Sequence, residues 1–229
     1  MGQNVSAFFK KEYEEDINEK MFYRSYCLNK EDVVGYIDQL IKTPLSSFLE
    51  YVVSSITIPF LTYQDVVQFS SLEDATTGIC RVLGVEDEGL KSIDVGRLLL
   101  NDGKERKEGA LRKYGENHAK TALELGLVIE SYGTYFLSCL GNVYNLLPEV
   151  HKVELLRRTI LRNRFFQKIV KKAQSGKVSI IKEMSFLAES TVKRRLSNVK
   201  SLYRLLRGKE DDPSAHFFDN ISIYDNELI

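Results

Sequence analysis

In this 229-residue chain, hydrogen-bond donors crowd the run Ser190-Thr191-Val192-Lys193-Arg194-Arg195, which continues into Ser197, Lys200, Ser201 and Arg204. With Ser190 as N-cap, a helix over 190–207 lines Val192, Leu196, Val199, Leu202 or Tyr203, and Leu206 along one face. Lys193, Arg194, Ser197, Lys200, Ser201 and Arg204 then share the opposite face. Lys and Arg donate to guanine O6 and N7, and Ser reaches base edges or phosphates. Small side chains at 197 and 201 let such a helix approach a groove closely. Base edges are met near the N-terminal end of a recognition helix. Ser190, Thr191, Lys193, Arg194 and Ser197 are therefore the candidates for base contact. The candidates for phosphate contact are Arg157, Arg158, Arg162, Arg164, Lys168, Lys171, Lys172, Arg195, Lys200 and Arg204. A second helix, from about Gly109 to Leu125, offers Lys113, Tyr114, Asn117, His118, Lys120 and Thr121. Of these, Asn117 carries the amide that pairs with adenine and joins the base-contact set. His118 reads as a surface or capping residue, since no second His or Cys is near.

Catalytic chemistry is hard to assemble from the remaining residues. Asp94 followed by Asp102-Gly103-Lys104 has the order of a metal-dependent nuclease motif. Asp94 falls at a helix start and Asp102 in a turn, so adjacent strands do not present the two carboxylates together. The phosphate-binding, dinucleotide, nucleophile-elbow and zinc-protease motifs are missing. His118, His151 and His216 are scattered. Cys27, Cys80 and Cys139 are odd in number and widely spaced, which argues against a disulfide framework or a zinc site and favours a reducing, cytoplasmic setting. No enzyme, metal or cofactor is expected.

Net charge at first discourages a nucleic-acid reading, because 32 Lys and Arg balance 32 Asp and Glu. The balance is a cancellation. Residues 151–208 hold 16 basic and 3 acidic side chains, a net of +13, while 1–150 carry −8 and 209–229 carry −5. Such asymmetry points to a polyanion partner for the basic part. No run of apolar residues approaches the length of a membrane span or a secretory signal. Met1-Gly2-Gln3-Asn4-Val5-Ser6 fits a myristoylation pattern, but acidic residues follow it where a basic second anchor would be needed.

The elements that must position these residues divide the chain. Residues 1–68 read as a helical packing or dimerising domain: Val33, Val34, Ile37, Leu40 and Ile41 recur at helical spacing until Pro44, and Phe48 to Leu61 turns from helix to extended chain near Ile56. Residues 69–148 give three helices: one ended by Gly84, one from Ser92 to about Asn101, and one ended by Gly126. A hairpin, 127–130 and 135–138, follows around Ser131-Tyr132-Gly133-Thr134. Residues 149–208 give a long helix from about Val153 to Ala173, a short one near Ile180 to Met184, and the helix that opens at Ser190. Residues 209–229 read as an acidic, partly ordered tail, whose charge beside the basic segment would allow it to fold back and compete with DNA.

Three helices followed by a hairpin is the element order of a winged helix-turn-helix. Tyr135, Leu137, Ser138 and Gly141 resemble the Tyr-x-Leu-Thr-x-x-Gly wing of winged-helix modules in bacterial restriction-modification and phage-defence proteins, with Ser in place of Thr. Ser190-Thr191-Val192-Lys193-Arg194-Arg195 is similar to the helix opening of that family, and the resemblance covers about residues 70–207. It implies a mostly α fold, with a helical N-terminal domain followed by two winged-helix or helix-turn-helix units. It also implies a non-catalytic double-stranded DNA-binding protein, the target-recognition subunit of a defence complex whose catalytic or effector partner is a separate chain. A dimeric transcriptional regulator and an interaction adaptor that binds an acidic protein are the alternatives.

Overall fold

Helices form wherever apolar residues recur at the 3.6-residue period, and they dominate the computed structural model, which describes residues 2–10, 31–58 and 60–224. The first are α1 (Gly2–Lys10), α2 (Glu31–Lys42) and α3 (Leu45–Ser55). Pro44 separates α2 from α3; lacking an N–H, proline opens a helix more readily than it continues one. After α3 the chain runs as a strap, described over 56–58 and 60–69 and extended at Ile56, Thr62 and Val66. A single 3-10 turn at Tyr63–Asp65 interrupts it, with the Asp65 carboxylate accepting from the Thr62 N–H at 2.6 Å.

A compact unit follows. Its order is a π turn at Asp74–Gly78 running into α4 (Ile79–Leu83), β1 (Leu90–Lys91), α5 (Ser92–Leu99), α6 (Glu108–Glu124), β2 (Val128–Ser131), β3 (Thr134–Leu137) and α7 (Cys139–Leu146). The strands form an antiparallel sheet in the order β1-β3-β2, with Leu90 opposite Tyr135 and Val128 opposite Leu137. Helices α5 and α6 cross at backbone contact through Gly96 and Gly115. A Cβ on Gly96 would stand 1.9 Å from the Leu111 carbonyl oxygen, and one on Gly115 would stand 1.9 Å from that of Ser92.

The Tyr135-x-Leu137-Ser138-x-x-Gly141 motif closes this unit as a corner. The Ser138 hydroxyl donates to the Gly126 carbonyl at 2.6 Å and accepts the Gly141 N–H at 2.9 Å, capping α7. Gly141 lies against Leu127, whose carbonyl oxygen would be 2.0 Å from any Cβ there. Ser and Gly at these positions thus serve hydrogen bonding and close approach at the hairpin base.

The expected long helix from Val153 to Ala173 is two helices, α8 (Glu149–Ile160) and α9 (Arg164–Ala173). Asn163 breaks it: its side-chain oxygen accepts from the Phe165 N–H at 3.1 Å and so caps α9. A short strand β4 (Val178–Ser179), a single turn α10 (Ile180–Glu183) and the long α11 (Glu189–Arg207) complete the basic half. Helices α2 and α3 pack on α8 and α9, so the first and third parts of the sequence share one body.

The described part of the acidic tail packs closely on the rest of the chain. Residues up to Tyr224 are built into the fold. A 3-10 turn at Ala215–Phe218 buries Phe217 and Phe218, and β5 (Ile221–Ser222) pairs in parallel with β4. Asp212 pairs with Arg157 at 2.6 Å between largely buried side chains. The tail is an edge of the core, and its apolar residues hold it there.

Candidate nucleic-acid interface

Helix α11 divides its residues between core and solvent as its periodicity requires. Val199, Leu202, Tyr203 and Leu206 are buried. Ser190, Lys193, Arg194, Ser197 and Arg204 are exposed in one stripe, with Ser201 half-buried within it. Thr191, also expected at base edges, is half-buried in the first turn. The helix begins at Glu189 with Ala188 as its cap, two residues ahead of the expected cap Ser190. Lys193 pairs with Glu189 at 2.6 Å, fully in solvent. Such a pair is worth only about 0.3–0.5 kcal/mol and gives way readily to a phosphate. Arg194 and Arg204 make no ion pair among the described residues.

Three of the expected phosphate contacts are buried and a fourth, Arg195, is half-buried against backbone carbonyls, and the structure corrects them. Arg158 is 2% exposed. Its guanidinium donates to the Ile41 carbonyl at 2.8 Å, the Thr43 carbonyl at 2.6 Å and the Glu154 carboxylate at 2.8 Å. Arg157 is also buried, donating to the Leu206 carbonyl at 3.1 Å and pairing with Glu154 and Asp212. Arg162 is buried with its guanidinium over the Phe8 ring. Arg195 donates to the carbonyls of Tyr63 and Val66. A buried guanidinium needs several acceptors, and backbone carbonyls supply them here. Counting charge along the sequence cannot separate these arginines from surface ones.

The rest of the phosphate set is accessible to different degrees. Lys172 is exposed and Lys168 half-buried, and both pair with Glu183, at 2.6 and 2.9 Å. Half-buried Lys171 donates to the Ile56 carbonyl at 2.6 Å. Arg164 reaches the Asp65 carboxylate at 3.5 Å. Lys200 donates to the Tyr224 hydroxyl and lies 4.3 Å from the centre of that ring, so the tail covers this one cation of the helix.

Helix α6 lies across the strap from α11. Thr121 of α6 donates to the Gln68 carbonyl at 3.3 Å, while Asn198 of α11 donates to that of Phe69. Asn117 is half-buried and lines a groove of about 310 Å³ between α6, the strap and Arg195. Arg112 and Lys113 are exposed. Tyr114 is turned away, donating to the Asp74 carboxylate at 2.6 Å; burial, with that carboxylate's help, pushes its pKa up to about 12.

His118 is buried rather than at the surface, and it caps from within. Its Nδ1–H donates to the Tyr114 carbonyl at 2.7 Å, which leaves Nε2 to accept from the backbone N–H of Ser71 at 3.3 Å. Desolvation lowers its pKa, against the Tyr114 carbonyl and Asp74, which both raise it. An unfolded chain protonates this histidine near pH 6.5, and the folded one only at lower pH. The part of the stability that rests on neutral His118 is therefore complete above about pH 6.5 and falls as pH drops below that value. Denaturant titrations from pH 8 to pH 5 should show this loss, and His118→Gln should flatten it. An unchanged slope in the variant would remove His118 as the cause.

The acidic pattern noted in the sequence is tied up in ion pairs. Asp94 pairs with Arg97 at 2.6 Å, and Asp102 with Arg106 at 2.5 Å, where the guanidinium holds the Asp102 carboxyl well below the usual carboxylate range. Cys80 is a buried free thiol. Cys139 is disulfide-bonded, so the expectation of a chain without disulfides does not hold at that position.

The most exposed aromatics were not among the residues expected from the sequence. Phe60 and Tyr63 stand on the strap at 99% and 61% exposure, and Tyr132 is fully exposed at the β2–β3 turn. Only the lack of periodicity around Pro59 hints at the first two. Against family models, curated proteins and solved structures, the chain finds no match.

Proposed function

We propose that this protein binds double-stranded DNA without acting on it chemically, through the exposed stripe of α11. One observation carries this reading: Ser190, Lys193, Arg194, Ser197 and Arg204 are free of the core along one side of a 19-residue helix. That side combines small polar and cationic residues, as groove entry requires. The order α4-β1-α5-α6-β2-β3, with sheet order β1-β3-β2, supports reading the first unit as a winged helix. The succession α10, turn, α11 supports a helix-turn-helix in the basic half.

The likeness of two motifs to defence proteins favours a target-recognition subunit working with a separate catalytic or effector chain. A dimeric regulator would use the same stripe on paired half-sites. The stripe is also where an acidic protein would bind in the adaptor alternative.

Binding to a short duplex should weaken steeply with salt, by nearly one power of the salt concentration per phosphate contact. Arg194→Ala should reduce discrimination between preferred and random duplexes by about 1–3 kcal/mol. Arg204→Ala should weaken all sequences alike and lower the salt slope by about one. Fluorescence anisotropy over a salt series reads both quantities. Affinity that does not change with salt would overturn the DNA reading, and identical behaviour of the two variants would overturn the division of roles.

A further inference from the structure

We infer that the strap, around Phe60 and Tyr63, is a track for an unpaired nucleic-acid strand, separate from the duplex-binding stripe of α11. Phe60 and Tyr63 lie three residues apart on this strap, both open to solvent. At most about 10–11 Å of chain separates them, so one strand can reach both rings. An isolated surface phenylalanine needs no explanation, but these two rings are flanked by cations on both sides.

On the Phe60 side a groove of about 550 Å³ is lined by Ile58, Phe60 and Leu61 and by Lys168, Lys171 and Lys172 of α9. Lys168 and Lys172 share the single carboxylate of Glu183. Among the described residues Lys171 has only the neutral Ile56 carbonyl as its hydrogen-bond partner. Three ammonium groups thus face one acid, leaving an excess of two positive charges beside an apolar floor. An anionic chain with flat apolar faces matches this arrangement.

On the Tyr63 side, Arg195 lies 6.0 Å from the ring centre and has two carbonyl acceptors. It has no carboxylate partner among the described residues, and its Nε is buried without a hydrogen bond. Gln64, Gln68 and Asn117 share that groove and offer both donors and acceptors to a base edge. Glu124 and Glu130 also line it, so phosphates are better placed on the lysine side and bases on the Tyr63 side. Aromatic faces combined with a cationic groove are the general means of holding single strands, because every base stacks and every nucleotide carries a phosphate.

This inference does not require the duplex reading to hold, and the test separates the two. The probe is an end-labelled oligothymidylate about 12 nucleotides long, within the span that small single-strand sites cover. A blunt duplex of equal length and a poly-glutamate peptide serve as competitors. The expected result is competition by unlabelled oligothymidylate well below the concentration at which either competitor acts. Phe60→Ala and Tyr63→Ala should each weaken binding by about 5- to 150-fold. Lys171→Gln should reduce the salt slope, and Arg194→Ala should leave oligothymidylate affinity unchanged.

The chain has no tryptophan. Phe60→Trp therefore introduces a single fluorescent reporter that should retain affinity and be quenched when a base stacks on it. Unchanged affinity in Phe60→Ala, equal displacement by duplex or poly-glutamate, or an indole that stays unquenched in the bound Phe60→Trp variant would each overturn the proposal. Loss of oligothymidylate binding in Arg194→Ala would instead merge the track with the α11 stripe and overturn its separateness.

Discussion

Gly96→Ala or Gly115→Ala should destabilise the protein by about 3 kcal/mol or more, the upper end of what overpacking a close contact costs. The added methyl would stand 1.9 Å from a carbonyl oxygen in either case, and that oxygen belongs to helix backbone rather than to a side chain that can swing aside. The only relief is to separate α5 from α6, which loosens the packing that buries Val95 and Ala119. Gly35→Ala is the matched control: it lies within α2 with nothing within 4 Å of the new Cβ. There alanine should stabilise by up to about 1 kcal/mol through helix propensity. Urea titration of the three variants checks this, with the midpoint moving and the slope unchanged. Similar midpoints for Gly35→Ala and Gly96→Ala would show that the helices do not cross this closely.

Arg158→Ala should be similarly severe, at about 3–5 kcal/mol, the cost of removing one partner from a buried charge network. The substitution strips the carbonyls of Ile41 and Thr43 of their donor and leaves Glu154 with Arg157 alone. Desolvation already lowers the Arg158 pKa against the pull of Glu154, so the guanidinium depends on its acceptors. Arg158→Met should cost less than Arg158→Ala, because a long apolar side chain fills more of the space the arginine leaves beside Phe48, over whose ring the guanidinium lies. This result separates a structural cation from a phosphate contact. A variant with wild-type stability but a shallower salt dependence of DNA binding would return Arg158 to the surface role that its position in a basic run suggests.

How far the sequence reveals the structure varies along the chain for physical reasons. Helix ends are readable where local chemistry sets them, as at Pro44, Gly84, Gly126 and Gly208, and the β2–β3 hairpin is visible from its change of period. Strands β1, β4 and β5 are not, since two-residue strands have no period and exist only because a distant partner pairs with them. The break at Leu161–Asn163 is hidden because apolar spacing continues across it, and only the Asn163 cap reveals it. The stripe on α11 is legible from periodicity alone. The fates of Arg157, Arg158, Arg162 and Arg195 are not, since each is decided by a carbonyl, carboxylate or ring far away in sequence. The strap is illegible for the same reason, because its grooves arise only where α6, α9 and α11 come to lie around it.

The hydrogen bond from Arg158 to Ile41 spans 117 residues, and this has a consequence for synthesis on the ribosome. At about 5–20 residues per second, α2 and α3 emerge roughly 6–23 s before the arginine that ties them down. During that interval Phe48, Leu49 and Val52, all at 0% exposure in the finished protein, have no α8 or α9 to cover them. The central unit, whose element contacts lie mostly within itself, can collapse once its last helix clears the exit tunnel. The nascent chain therefore carries an apolar N-terminal hairpin ahead of a folded middle, a form that chaperones recognise and that favours aggregation when expression is fast.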